Sequence, residues 1–255
     1  MAKASTALTK AKSNLPTSTK AMFAQELADL QKRISAPSGD RIMVTQGKTF
    51  KLPNGTELDE LEAVIVDFST ANFFYTEGYE RGQITPPQCF ALGLEPAGMT
   101  PSVNSPEIQA ESCAACWANA FGSAGKGKAC SNQRLLAILP PDADAETPLM
   151  ILKVSPTALK SFDGHVAAVA RSKGVPVRGV ISKIYFSQDT DYASLRFSVI
   201  DDTPIDLIEQ ANARLAEARQ RLLTEPDVSA LQAANDSKPV QKRTLGKKVP
   251  PKRAA

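Results

Sequence analysis

Residues 111–130 read ESCAACWANAFGSAGKGKAC, and two chemistries compete for them. From Gly122 the spacing G-x-x-x-x-G-K is that of a phosphate-cradling loop, whereas Cys113, Cys116 and Cys130 are spaced like ligands of a metal. A phosphate loop needs a buried strand before Gly122, a helix after Lys128, and a hydroxyl next to that lysine for Mg²⁺. Upstream lies CAACWANAF, position 129 is Ala, and NQRLLAILPP downstream is strand-like and ends in prolines. All three requirements fail, and the metal reading is preferred.

That reading accounts for every cysteine. Cys113 and Cys116 form a C-x-x-C knuckle, Cys130 follows after thirteen residues, and Cys89 in PPQCFALG supplies a fourth sulfur. Structural zinc takes four such ligands in a tetrahedron. The glycines of 122–127 then form a turn that returns Cys130 to the knuckle, and Lys126 and Lys128 offset the charge of four thiolates. An iron–sulfur cluster and plain buried or redox-active thiols are the other readings the set admits. Catalytic zinc is disfavoured because no coordination position is left open. The sole histidine, His165, lies on a helix away from this stretch and reads as a surface or partly buried residue.

Outward from the cysteines the elements are regular. LEAVIVDFS (61–69) is a buried strand by length and β-branching, preceded by two short strand-like runs around a Gln-Gly turn in DRIMVTQGKTFKLPNG. RLLAILP and PLMILKV are the next apolar runs. SPTALKSFDGHVAAVARSKG reads as a helix, with Ser155 as N-cap, Leu159, Phe162, Val166 and Val169 on one face, and Gly174 as the stop. VRGVISKIYF and YASLRFSVI form a hairpin. TPIDLIEQANARLAEARQRLL places Ile208, Leu215 and Leu222 seven residues apart on an amphipathic helix, and MFAQELADLQKRI is helix-like near the other end. Without the end helices the order is three strands, a helix and two strands. The expected fold is α+β: an OB-fold-like five-stranded barrel with a zinc-binding insertion between Ser69 and Arg134, about 70–133, and a C-terminal amphipathic helix.

The 255-residue chain has 30 basic and 27 acidic residues, a net charge of +3. The positive charge is in the ends: 1–20 carries four lysines and 238–255 seven Lys or Arg, with no acid in either. The remainder is acidic, 19 basic residues against 27. This divides the chain into a basic arm (1–22), the core (23–202), the helix (203–224) and a basic tail (225–255). No apolar run approaches the roughly 18 residues of a membrane span, and no signal-peptide core follows Met1, so a cytosolic protein without a membrane partner is expected, in a cell or an infected cell.

VIVDFSTANFFYTEGYERGQITPPQCFALG, SCAACWANAFGSAGKGKACSNQRLLAIL, LKVSPTALKSF and the closing hairpin together resemble the zinc-containing single-stranded DNA-binding proteins of tailed bacteriophages. The resemblance covers roughly 41–200. It implies an OB-fold with a metal-bound loop beside its binding groove, little sequence preference, and replication or recombination proteins as partners. The chain departs from the family in its basic rather than acidic tail and in its all-cysteine metal set.

Single-strand binding needs rings for bases and cations for phosphates. Tyr75 and Tyr79 in NFFYTEGY, together with Trp117 and Tyr185, carry the polar tip expected of exposed aromatics, while Phe73, Phe74 and Phe197 read as core. Alternation puts Lys183 and Tyr185 on one face of the hairpin, with Arg196 and Ser198 opposite the apolar side. Lys126, Lys128, Lys183 and Arg196 are the candidate phosphate contacts. The competing class is a scaffold protein with a zinc-stabilised loop, self-associating as a homo-oligomer through the C-terminal helix. No nucleophile–base pair or carboxylate set supports an enzyme.

Overall fold

The computed structural model describes residues 40–76, 85–229 and 231. The two arms, the helix-like 22–34 and Tyr79 lie outside them. Among the described residues nine strands form one curled, mostly antiparallel sheet: β1 (Arg41–Val44), β2 (Phe50–Lys51), β3 (Glu57–Leu58), β4 (Leu61–Phe74), β5 (Cys89–Gly93), β6 (Cys130–Leu139), β7 (Met150–Val154), β8 (Val180–Phe186) and β9 (Leu195–Asp202). Their order is β3-β2-β1-β7-β6-β4-β8-β9, with β5 on the upper half of β4. Among the described residues three complete helices are α1 (Leu159–Lys173), α2 (Ile205–Ala213) and α3 (Leu215–Leu222). The fold is therefore mixed α+β, a half-barrel with a few helices.

β4 is the spine. Its sequence, LEAVIVDFSTANFF, is rich in β-branched and aromatic residues and is buried on both faces, so it lies at the centre of the sheet. The strand expected to end near Ser69 continues to Phe74, and β6 begins at Cys130 rather than near Arg134. The sheet thus takes in both ends of the expected insertion, and the connection proper is 75–129. Inside it β5 pairs antiparallel with β4, from Thr70↔Gly93 to Phe74↔Cys89.

Two cores lie on the two faces. Inside the curl, Leu61, Ala63 and Ile65 meet Leu136, Ile138, Leu152, Ile184 and Phe186, with Phe162 of α1 across them. Gly174, at φ 68, ends α1 in the left-handed conformation that glycine adopts without steric cost. Ser155 does not cap this helix with its side chain; a 3-10 turn over Pro156–Ala158 leads into α1. His165 is more buried than the sequence suggests, 6% exposed, with Nε2 2.9 Å from Ser182 Oγ and its ring stacked on Phe197. Phe50 and Phe186 pack with ring centroids 4.5 Å apart, and Lys48 donates to the carbonyls of Ser187 (3.2 Å) and Thr190 (2.5 Å). The β1–β2 turn is thereby tied to the β8–β9 loop, and the curl is drawn together by side chains.

On the outer face Val64, Val66, Leu135, Ala137, Leu139 and Ile151 are covered by Leu207, Ala211, Ala218 and Leu222. The expected single helix over 203–224 is two helices, broken at Arg214, whose guanidinium binds Glu217 (2.9 Å) and the Thr147 carbonyl. The pair is fastened by Arg219–Asp67 (2.8 Å), Arg221–Asp40 (3.3 Å) and a Ser69 hydroxyl bond to the Leu222 carbonyl (3.2 Å). Leu222, read as part of a self-association stripe, is fully buried against the chain's own sheet.

Candidate metal centre and nucleic-acid face

Cys89 opens β5 and Cys130 opens β6, and both are in register with Phe74, the last residue of β4. Registered neighbours in a sheet present their side chains to the same side, so the two sulfurs flank the Phe74 ring. The knuckle comes from the connection between those strands. The Cys113 amide donates to the Met99 carbonyl at 2.9 Å, and a 3-10 turn over Trp117–Asn119 follows Cys116, with Ala118 fully buried beneath it. Asn119 donates to the Cys113 carbonyl (2.7 Å) and accepts from Asn132 (3.0 Å) and Lys128 (3.1 Å); Asn132 also donates to Asn72 (2.7 Å). This amide chain links the knuckle to β4 and β6.

All four cysteines are free and line one cavity of about 20 Å³, beside Asn72, Phe74 and Ala118. That volume holds about one water-sized sphere. The sulfurs line the space without forming a ready-made coordination sphere among the described residues. Burial pushes the Cys130 thiol up to about 12, the charges of Cys113, Cys116 and Cys89 push the same way, and Lys128 opposes them. Cys113 is raised, first by burial, with an Asn72 hydrogen bond opposing. Such thiols stay neutral near pH 7 unless a cation is placed among them. Four soft sulfurs lining a single-ion volume are chemically compatible with zinc, which favours thiolate ligands. The glycine turn also has the expected form: Gly122 and Gly125 have positive φ, the Gly122 amide bonds the Gly127 carbonyl at 2.9 Å, and the chain returns to Cys130.

The candidate ligand residues fall into two groups. Tyr75, Trp117, Lys126 and Lys128 belong to the 75–129 connection at the far end of β4. Trp117 is 54% exposed, edge-on to Phe74 at 5.5 Å, and donates from Nε1 to Gln109 at 3.2 Å. Phe121, not singled out from the sequence, is 81% exposed in the same lobe. Lys183, Tyr185 and Arg196 lie on β8 and β9, where the pairs Lys183↔Ser198 and Tyr185↔Arg196 place them on one face as the alternation predicts. β8 pairs with Leu61–Val64, Lys183 opposite Glu62, so roughly 40 Å of strand separates the groups. Lys183 is bound to Glu60 at 2.7 Å, and with Tyr185, Lys48 and Asp59 it lines a groove of about 640 Å³. Two acids in that groove oppose phosphate binding there. The chain matches no family model, no curated protein and no solved structure.

Proposed function

We propose that the protein binds single-stranded DNA with little sequence preference, as a non-enzymatic component of replication or recombination, and that zinc held by Cys89, Cys113, Cys116 and Cys130 stabilises the lobe beside its binding face. The observation that carries this reading is the strand order. β4, β6, β7, β8 and β9, with α1 between the third and fourth, lie side by side as β7-β6-β4-β8-β9. That is the order of a five-stranded OB barrel opened between its third and fifth strands, and such barrels bind oligonucleotides on strands two and three and on the first and last loops. Here the first loop is the cysteine lobe, with Tyr75, Trp117 and Phe121 exposed. The choice of DNA, and of replication or recombination, rests on the resemblance in sequence. The scaffold alternative is less favoured because Leu222, and in part Leu215, of the proposed association stripe pack against the chain's own sheet.

The test is titration of the full chain with single- and double-stranded oligonucleotides across a salt series. Tighter binding to single strands is expected, with log K falling by about 0.7 per phosphate neutralised for each unit of log salt. Removing 238–255, with its seven cations, should flatten that slope while the single-strand preference remains. Equal affinity for duplex, or loss of all binding with both arms removed, overturns the proposal.

A further inference from the structure

We infer that the nucleic-acid strand runs diagonally over the open outer face of β6, β7 and β1, with Arg41 and Lys153 on its phosphates and the Tyr75 ring against a base. The inference rests on the single-strand reading above and assigns the path and its contacts. Registered and alternate residues share a side of a sheet. The pairs Phe73↔Ser131, Ala71↔Gln133, Leu135↔Lys153 and Arg41↔Ile151 therefore put Tyr75, Gln133, Lys153 and Arg41 on one side. It is the side that α2 and α3 cover lower down, at Leu139 and Ile151. Beside that cover, on the edge strand, Arg41 is exposed; above it Lys153 is exposed, and Tyr75 is 39% exposed with its ring 6.4 Å from Phe73.

The Arg41 charge acts on each of the other two side chains. Desolvation of the Lys153 amine by its surroundings, and then the Arg41 charge, lower its pKa. Burial raises the Tyr75 hydroxyl, and Arg41 opposes that shift. Among the described residues neither Arg41 nor Lys153 has a carboxylate partner, whereas Arg134, Lys173, Lys183, Arg214, Arg219 and Arg221 all do. Two cations held close without a counter-ion are a site for an anion, and a phosphate between them would relieve their repulsion.

A second observation comes from Gln133, 6% exposed and diagonal to Lys153. Its Nε2 donates to Ser131 Oγ at 2.9 Å, and among the described residues its Oε1 has no partner. A buried acceptor left without a donor is costly, and a base N–H brought to it by a bound strand would relieve that cost. Every base carries at least one N–H on its pairing edge, so this acceptor would not discriminate among them. Arg41 comes from β1, a strand added to the five of the barrel order, which takes the edge of β7 in parallel. β1 therefore lengthens the binding face beyond β7. Exposed Met43 and its cross-strand neighbour Lys51 continue the path, and Glu57 opposite Lys51 ends it.

The experiment uses the full chain and a short fluorescent single-stranded DNA of mixed sequence. Arg41→Ala with Lys153→Ala should reduce affinity at low salt about tenfold or more and lessen the salt slope by about 1.4, the value for two phosphates. Tyr75→Ala should weaken binding about tenfold with the slope unchanged, and Tyr75→Phe should retain it. Melting temperature checks that each variant is folded, and Lys160→Ala, exposed on α1, serves as the charge control. If the parent protein binds single strands and the double variant keeps its affinity and slope, this path is wrong and the general reading survives. If the parent binds no single strand, both fall.

Discussion

At the residue scale the four cysteines and the one histidine make separate predictions. The protein isolated without added metal should contain one zinc per chain by elemental analysis, and Cys130→Ser should lose it; neither zinc nor iron in the parent would refute the assignment. Spacing alone was enough to group the cysteines, because a knuckle and two flanking sulfurs within a short stretch are visible in one dimension. His165 was harder to read, since its burial depends on Ser182 of β8 and Phe197 of β9, distant in sequence from α1. Burial lowers its pKa below the ordinary 6.5. The unfolded chain, with the higher value, therefore takes up the proton first. Stability is full above about pH 6.5 and falls as the pH drops below it, until the folded-state value is passed. The urea midpoint should thus fall between pH 7 and pH 5.5, and fall less in His165→Gln; an equal fall in both would remove this residue from the acid response.

Among the elements, α3 shows most clearly how packing decides what periodicity leaves open. The spacing of Ile208, Leu215 and Leu222 is compatible with a partner helix and with a sheet; the sheet takes Leu222 and part of Leu215 because Val64, Val66 and Leu139 form an apolar face that needs cover. Leu222→Ala should cost about 2–5 kcal/mol in chemical denaturation, as a fully buried leucine does. A loss below about 0.5 kcal/mol would mean that the helix is not docked in solution. The break at Arg214 was not legible, because neither Gly nor Pro marks it; it occurs where that side chain reaches across to Thr147. β5 was hidden for a related reason: CFALG is a short apolar run after two prolines, and only its pairing along Thr70–Phe74 makes it a strand.

For the whole molecule, the long apolar strands, α1 and the hairpin could be read from sequence, since each carries its own period. The meeting of Arg41, Lys153, Gln133 and Tyr75 could not, because it exists only across the pairings of β1, β7, β6 and β4. The parallel seating of β1 on β7 has a consequence of another kind. An apolar strand such as Met150–Val154, left with a free row of amides and carbonyls, is a template for joining other chains edge to edge. The pairing Arg41↔Ile151 and Ile42↔Leu152 occupies that row with the chain's own backbone. Deleting residues 1–45 should therefore produce concentration-dependent assembly in sedimentation velocity, whereas deleting 1–39 should not. If both truncations sediment alike, some other part of the chain guards the edge; if they differ, four residues at the start of the fold keep each copy separate from the next.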